Sequence, residues 1–213
     1  MKILIAVPCM DQVPAVFAQS LAALEKVEEC WIQTRIGSLI YDARNELAKE
    51  ALRMGTDYVF WMDSDMTFTQ DALKRLVKRA KEYGENTIMT GLYFRRVEPF
   101  SPVLLDTLDI GDDGRVHFEN TKRLPKEPFE VAGCGFGCVL LPTQALMDVA
   151  ARFGDMFGPM KGVGEDLSFC IRARECGYRI ICDPAVECGH VGHNIITRGF
   201  WESYKHLKGK AAK

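Results

Sequence analysis

The first 95 residues limit the possible folds most, because short apolar runs alternate there with segments of helical periodicity. KILIAVP at 2–8 reads as a short buried strand ended by Pro8. Val16, Phe17, Ser20, Leu21 and Leu24 then recur at helical spacing, and Cys30–Thr34 reads as a second strand. Residues 41–54 predict a second helix, with Leu47, Ala48, Ala51 and Leu52 on one stripe and Gly55 just past its end. Asp57–Met62 is a compact run expected to form a central strand. In the next helix Thr69 stands where it can cap, Asp71 falls in the first turn, and Ala72, Leu73, Leu76, Val77 and Ala80 form the buried face. Thr87–Thr90 supplies another strand and runs into GLYFRR at 91–96. Strands that alternate with helices in this way imply an α/β fold, with a mostly parallel sheet covered on both faces.

The pattern changes after residue 96. Residues 97–130 carry several prolines, acidic-glycine turns near Gly111 and Gly114, and short alternating runs such as Arg115–Phe118. A smaller antiparallel element over the sheet is expected there. Cys138–Leu141 reads as a strand, 143–153 as a helix, and 166–176 as a helix closed by Gly177. The expected organisation is a single domain over 1–213, with a ligand-binding half at 1–96 and a second half at 97–213.

Composition excludes several classes. The net charge of −2 gives no global attraction to nucleic acid or an anionic membrane, although 205–213 is locally basic. The apolar opening is too short for a secretory signal, and the long uncharged stretch 131–147 is broken by Gly133, Gly135, Gly137 and Pro142. The eight cysteines form no CxxC pair, so reduced thiols in a soluble, cytoplasmic protein are expected.

Five segments can carry chemistry. WMDSDMTF at 61–68 ends an apolar strand in Asp63, Ser64 and Asp65, and carboxylates two apart in extended chain share a side. Open α/β sheets place ligands at such strand ends. Two acids there suit Mg²⁺ or Mn²⁺ with a bound diphosphate, although an acidic helix entry would read the same way. In GVGEDLSF at 162–169, Glu165 and Asp166 sit where a glycine-containing loop enters a helix. One of them could serve as general base on an acceptor hydroxyl, or both could simply favour the helix dipole. ECGHVGHN at 187–194 offers His190 and His193, either as the completion of a metal shell or, with Cys188 and Cys182, as a zinc alternative whose spacing fits poorly. Asp42, Arg44 and Asn45 open an apolar-striped helix and suit phosphate or base recognition, or plain capping. Arg95 and Arg96 follow a strand directly and point different ways, so one of them can face a diphosphate or an acceptor.

In their order these segments resemble the GT-A-type glycosyltransferases, and among them the family 2-like group. The resemblance rests on the strand at Pro8, ARN at 43–45, DSD at 63–65, GLYFRR at 91–96, VAGCGFGCVLL at 131–141, GED at 164–166, Gly177-Tyr178 and the strand leading to His190. It implies a Rossmann-like GT-A fold and transfer of a sugar from a nucleoside-diphosphate sugar, a UDP-sugar being favoured. The implied metal is Mn²⁺ or Mg²⁺, held by Asp65 and His190 with Asp63 at the shell or the ribose. Asp166 is the implied base, with Glu165 near the acceptor. Pro8, Asp42, Arg44, Asn45, Ser64 and Arg95 line the implied donor site. The acceptor class stays open among a saccharide, a lipid-linked sugar, a protein and a nucleic-acid base. Other functions fit the segments less well. A sugar-1-phosphate nucleotidyltransferase would show a glycine-rich, arginine-containing loop where this chain has AVPCMDQVP. A non-catalytic nucleotide-sugar-binding module would have no need of all three acidic and histidine segments.

Overall fold

The computed structural model describes residues 1–27, 29–37, 39–192 and 195–211, with side chains as far as residue 208. The first half alternates as the periodicity requires: β1 (Lys2–Cys9), α1 (Ala15–Ala23), β2 (Glu29–Ile36), α2 (Ile40–Met54), β3 (Tyr58–Met62), the short β4 (Met66–Thr67), α3 (Ala72–Tyr83) and β5 (Thr87–Leu92). An antiparallel hairpin follows, β6 (Leu104–Ile110) and β7 (Val116–Asn120), then β8 (Phe129–Val131), β9 (Gly133–Cys134) and β10 (Cys138–Pro142). The chain closes with α4 (Thr143–Phe153), α5 (Glu165–Glu175), β11 (Arg179–Glu187), β12 (Gly189–Val191), β13 (Ile195–Ile196) and α6 (Arg198–Ala211).

The main sheet has seven strands in the order β2-β1-β3-β10-β5-β11-β8. The β1–β2, β1–β3 and β5–β11 pairs are parallel, whereas β10 lies antiparallel between β3 and β5 and β8 lies antiparallel on β11. This is the expected mostly parallel α/β sheet, completed by two three-stranded antiparallel sheets, β7-β6-β9 and β13-β12-β4. Burial divides into one cluster on each face. One holds Ile3, Ile5, Phe60 and Leu76, and the other holds Leu4, Trp61, Val139 and Phe169. Alternate side chains of β1 and β3 thus enter opposite layers, as strands covered by helices on both sides require. No helix among the described residues is long and apolar enough to cross a membrane.

Two local expectations are corrected. Pro8 does not end its strand: β1 pairs with β2 through Pro8↔Arg35 and Cys9↔Ile36. Its pairing with β3 stops at Ala6, so beyond that point β1 has one neighbour and tolerates a residue without an N–H. Thr69 does not cap α3. Its hydroxyl bonds Asp71 Oδ1 at 2.8 Å, and Asp71 occupies the cap position without a side-chain cap bond. The buried face of α3 is Ala72, Leu73, Leu76, Val77 and Ala80, and Gly55 takes the left-handed cap of α2 at φ 62°.

Candidate active site

A cleft of about 330 Å³ opens at the carboxyl ends of β1 and β3. It is lined by Pro8 and Cys9 from β1, by Asp63, Ser64 and Asp65 after β3, by Arg44 from α2, by Arg96 after β5, and by Glu165 and Asp166 at the start of α5. Five segments far apart in sequence therefore meet where open α/β sheets place ligands.

Arg44 ties two of the acidic segments together. It is buried, donating from Nη2 to Asp63 Oδ1 at 2.7 Å and from Nε to Glu165 Oε1 at 3.1 Å. Its guanidinium lies over the rings of Trp61 and Phe136, with centroids at 5.5 and 5.2 Å. Those rings belong to an aromatic floor in which Phe157 stacks on Phe169 with centroids 4.8 Å apart. Burial works against the charge on Arg44, but Asp63 and Glu165 outweigh it and hold its pKa above the ordinary value. Arg44 Nη1 is left buried without a hydrogen-bond partner among the described residues.

Asp166 lies beside this pair. Its Oδ1 accepts from the Leu167 N–H at 2.7 Å. Burial, and then the charge of Glu165, push its pKa from 3.8 up to about 6. A carboxyl that gives up its proton near neutrality is suited to act as a general base.

The DSD segment does not continue as extended chain. The Met66 N–H bonds the Asp63 carbonyl at 3.2 Å and closes a turn, so the two carboxylates part company. Asp63 turns to Arg44, while Asp65 turns to His190 and Arg96, its Oδ2 lying 3.4 Å from His190 Nε2. Burial opposes ionisation of Asp65, but the His190 hydrogen bond and the charges of His190 and Arg96 bring its pKa below the usual value. Burial depresses His190, but Asp65 more than offsets that and its pKa is raised. His190 Nδ1 donates to the Phe94 carbonyl at 2.8 Å, which leaves Nε2 as the atom facing Asp65.

Among the described residues no three His, Cys, Asp or Glu side chains converge as a metal-binding group. A divalent cation here would have two protein ligands, Asp65 Oδ2 and His190 Nε2, and would need oxygens from a bound diphosphate. That donor set of carboxylate, imidazole and phosphate oxygen fits Mn²⁺ or Mg²⁺. Asp63 is not brought into it. For the zinc alternative, Cys182 and Cys188 are buried free thiols, and His193 lies outside the described residues.

The remaining expected residues separate. Asp42 is exposed and lines a neighbouring recess with Arg35 and Glu46. Asn45 Oδ1 accepts from the Phe157 N–H at 3.2 Å and so fastens α2 to the loop before α5. Arg95 is exposed outside the cleft lining, and its neighbour Arg96 is the arginine that enters. The glycines at 135 and 137 serve packing. A Cβ at Gly135 would stand 2.1 Å from the Tyr93 hydroxyl, and that hydroxyl accepts from the Gly137 N–H at 3.1 Å. Tyr93 itself packs edge-on against His190 with ring centroids 5.7 Å apart. Sequence reasoning offered Arg95 and Arg96 as alternatives and favoured Arg95, whereas Tyr93 was not singled out. For Tyr93 the sequence carried no signal, because its place against Gly135 and Gly137 is set by contacts between segments more than forty residues apart.

Comparison with known proteins bears on the family and the fold. Residues 32–149 match the profile of Glycosyl transferase family 2. A crystal structure of A197 from STIV superposes with a TM-score of 0.60 at 16% identity, covering 92% of this chain and 94% of that one. A crystal structure of GalNAc-T7 with UDP, GalNAc and Mn²⁺ superposes with a TM-score of 0.62 at 8% identity, covering 90% of this chain and 44% of that one. At such identities the likeness bears on the fold. A sequence search of curated proteins found no match.

Proposed function

We propose that this chain, which belongs to glycosyl transferase family 2 and has the GT-A type fold, moves a sugar from a nucleoside-diphosphate sugar to an acceptor hydroxyl in the cleft at Asp63, Asp65 and Asp166. The observation that carries the reading is one cleft holding two kinds of carboxylate. Asp65 is held ionised beside His190, and Asp166 is poised near neutrality. Paired acids with such divided environments suit cation binding by the one held ionised and proton transfer by the other.

In this mechanism Asp166 accepts the proton of the acceptor hydroxyl as its oxygen bonds to the anomeric carbon. The bond from that carbon to the diphosphate oxygen breaks on the opposite face, so the sugar is transferred with inversion and the diphosphate departs as the anion. Asp65 and His190 would hold a divalent metal, which supplies Lewis-acid neutralisation of the diphosphate charge. Arg96, which shares Asp65, is placed to meet the same diphosphate. Arg44 holds Asp63 and Glu165 in fixed positions, so the donor side and the base side of the cleft keep one geometry. Pro8 and Cys9 close the nucleotide end. A UDP-sugar is the favoured donor.

A thermal-shift panel of UDP-, GDP-, CDP- and dTDP-sugars, each with and without Mn²⁺, tests the donor half. Stabilisation by one nucleotide class that requires the metal supports it. No shift with any donor removes it.

A further inference from the structure

β2 forms one edge of the main sheet, and among the described residues only β1 pairs with it. It runs for 8 residues, whereas β8 at the opposite edge has 3. Proteins usually blunt an edge with short length, a proline, a lysine or a bulge. β2 (ECWIQTRI) has neither proline nor lysine, and its register with β1 runs unbroken from Lys2↔Glu29 to Cys9↔Ile36. It is also apolar where it meets water. Of the fifteen large hydrophobic side chains exposed among the described residues, Trp31, Ile32, Ile36, Leu39 and Ile40 all fall within 31–40. A long, unprotected and apolar edge is a template for a further strand.

The backbone shows which residues offer that edge. The Gly37 N–H bonds the Cys9 carbonyl at 3.1 Å, so Gly37 and, by alternation, the odd-numbered residues of β2 turn their backbone groups to β1. Cys30, Ile32, Thr34 and Ile36 therefore direct theirs outwards. In an antiparallel pair the hydrogen-bonded residues stand directly opposite each other. An added copy of β2 must then set even-numbered residues opposite even-numbered ones, and a twofold axis passes through a residue and not between two.

The charges select the residue. With the axis at Ile32, Ile32 faces the partner's Ile32 and Cys30 faces the partner's Thr34. Glu29 then falls opposite the partner's Arg35, twice by symmetry. With the axis moved to Trp31 or Gln33, neither charge meets its opposite. Among the described residues Glu29 has no ion pair, and Arg35 is paired with Glu46 through Nη2 alone, at 3.2 Å. Glu29 and Arg35 would meet at a non-hydrogen-bonded position, where Cα atoms stand about 4.5 Å apart and opposed side chains approach closely. We infer that β2 is a homodimer interface, on which a second copy of this chain adds its own β2 antiparallel, centred on Ile32, to make one continuous sheet.

Sedimentation velocity over a concentration series tests this on wild type, Glu29→Arg, Arg35→Glu and Ile32→Lys, with circular dichroism to check folding. Wild type should pass from monomer to dimer as concentration rises through the micromolar range. Glu29→Arg and Arg35→Glu each set like charges opposite one another and should weaken the dimer by about tenfold or more. An equimolar mixture of these two variants restores both opposite-charge pairs in a heterodimer and should associate as wild type does. Ile32→Lys places two ammonium groups at the axis and should leave a monomer with native circular dichroism, since the Ile32 side chain already meets solvent. Wild type that stays monomeric throughout would overturn the inference. So would an Ile32→Lys dimer, charge reversals that leave association unchanged, or a mixture that associates no more tightly than its components.

Discussion

Replacing Asp166 with Asn should make the protein more stable and inactive at once. Folding raises the pKa of this carboxyl from 3.8 to about 6, through burial and the neighbouring Glu165. Its ionised form is therefore disfavoured in the native state. The native protein binds the proton more tightly than the unfolded chain, so stability falls as pH rises from about 4 to about 6 and stays reduced above that. At about 1.4 kcal/mol per tenfold change in proton affinity, the full effect is about 3 kcal/mol. Asp166 is only partly enclosed, so about 1–2 kcal/mol is the expected gain at pH 7 after discounting for solvent screening. For a chain of this length that corresponds to a rise in Tm of roughly 3–6 °C. Asn keeps an Oδ1 that can accept from the Leu167 N–H, so the local bond survives the change. The assay is thermal denaturation of both proteins from pH 4 to pH 8, with donor turnover measured on the same samples. The gain should be full above pH 6 and vanish near pH 4. A variant that is no more stable at pH 7, or whose advantage does not shrink on acidification, would refute the account of Asp166.

Other changes report on its neighbours. In Glu165→Gln the second cause of the raised Asp166 pKa disappears, so the acid limb of the kcat/KM profile should move to lower pH; an unmoved limb would exclude Asp166 as the base. Arg44→Met leaves Asp63 and Glu165 without their shared partner and should cost about 3 kcal/mol in urea denaturation. Arg44→Lys should not restore it, because one ammonium cannot span both carboxylates as the guanidinium fork does. Gly135→Ala puts a methyl against the Tyr93 hydroxyl and should cost about 1–3 kcal/mol, part of which Tyr93→Phe should recover in the double variant.

The helices were the most legible part of the sequence. The stripe on α3 and the glycine after α2 are local signals, fixed by side-chain spacing and backbone sterics. The direction of β10 was not legible, because an apolar run carries no sign of which way it is threaded. At the site, the sequence showed which segments matter but not how their side chains divide. The turn at Asp63–Met66 sends neighbouring carboxylates to different partners, which a strand reading of DSD misses. Arg44 left a clue that passed unused. It falls three and four residues before Leu47 and Ala48, on the apolar stripe of α2, where an arginine stays only if carboxylates meet it. Nothing in the sequence separated Arg95 from Arg96, since which of two adjacent residues turns inward depends on where β5 ends.

The central claim is that Asp65 and its surroundings make a metal-assisted donor site. It is tested most directly by release of sugar from the nucleotide-sugar that stabilises the protein, for wild type and Asp65→Ala, with Mn²⁺ and with chelator. The account predicts release by wild type only when the metal is present, and loss of at least a hundredfold in Asp65→Ala. Equal rates in the two proteins, or a wild-type rate indifferent to chelation, would contradict it.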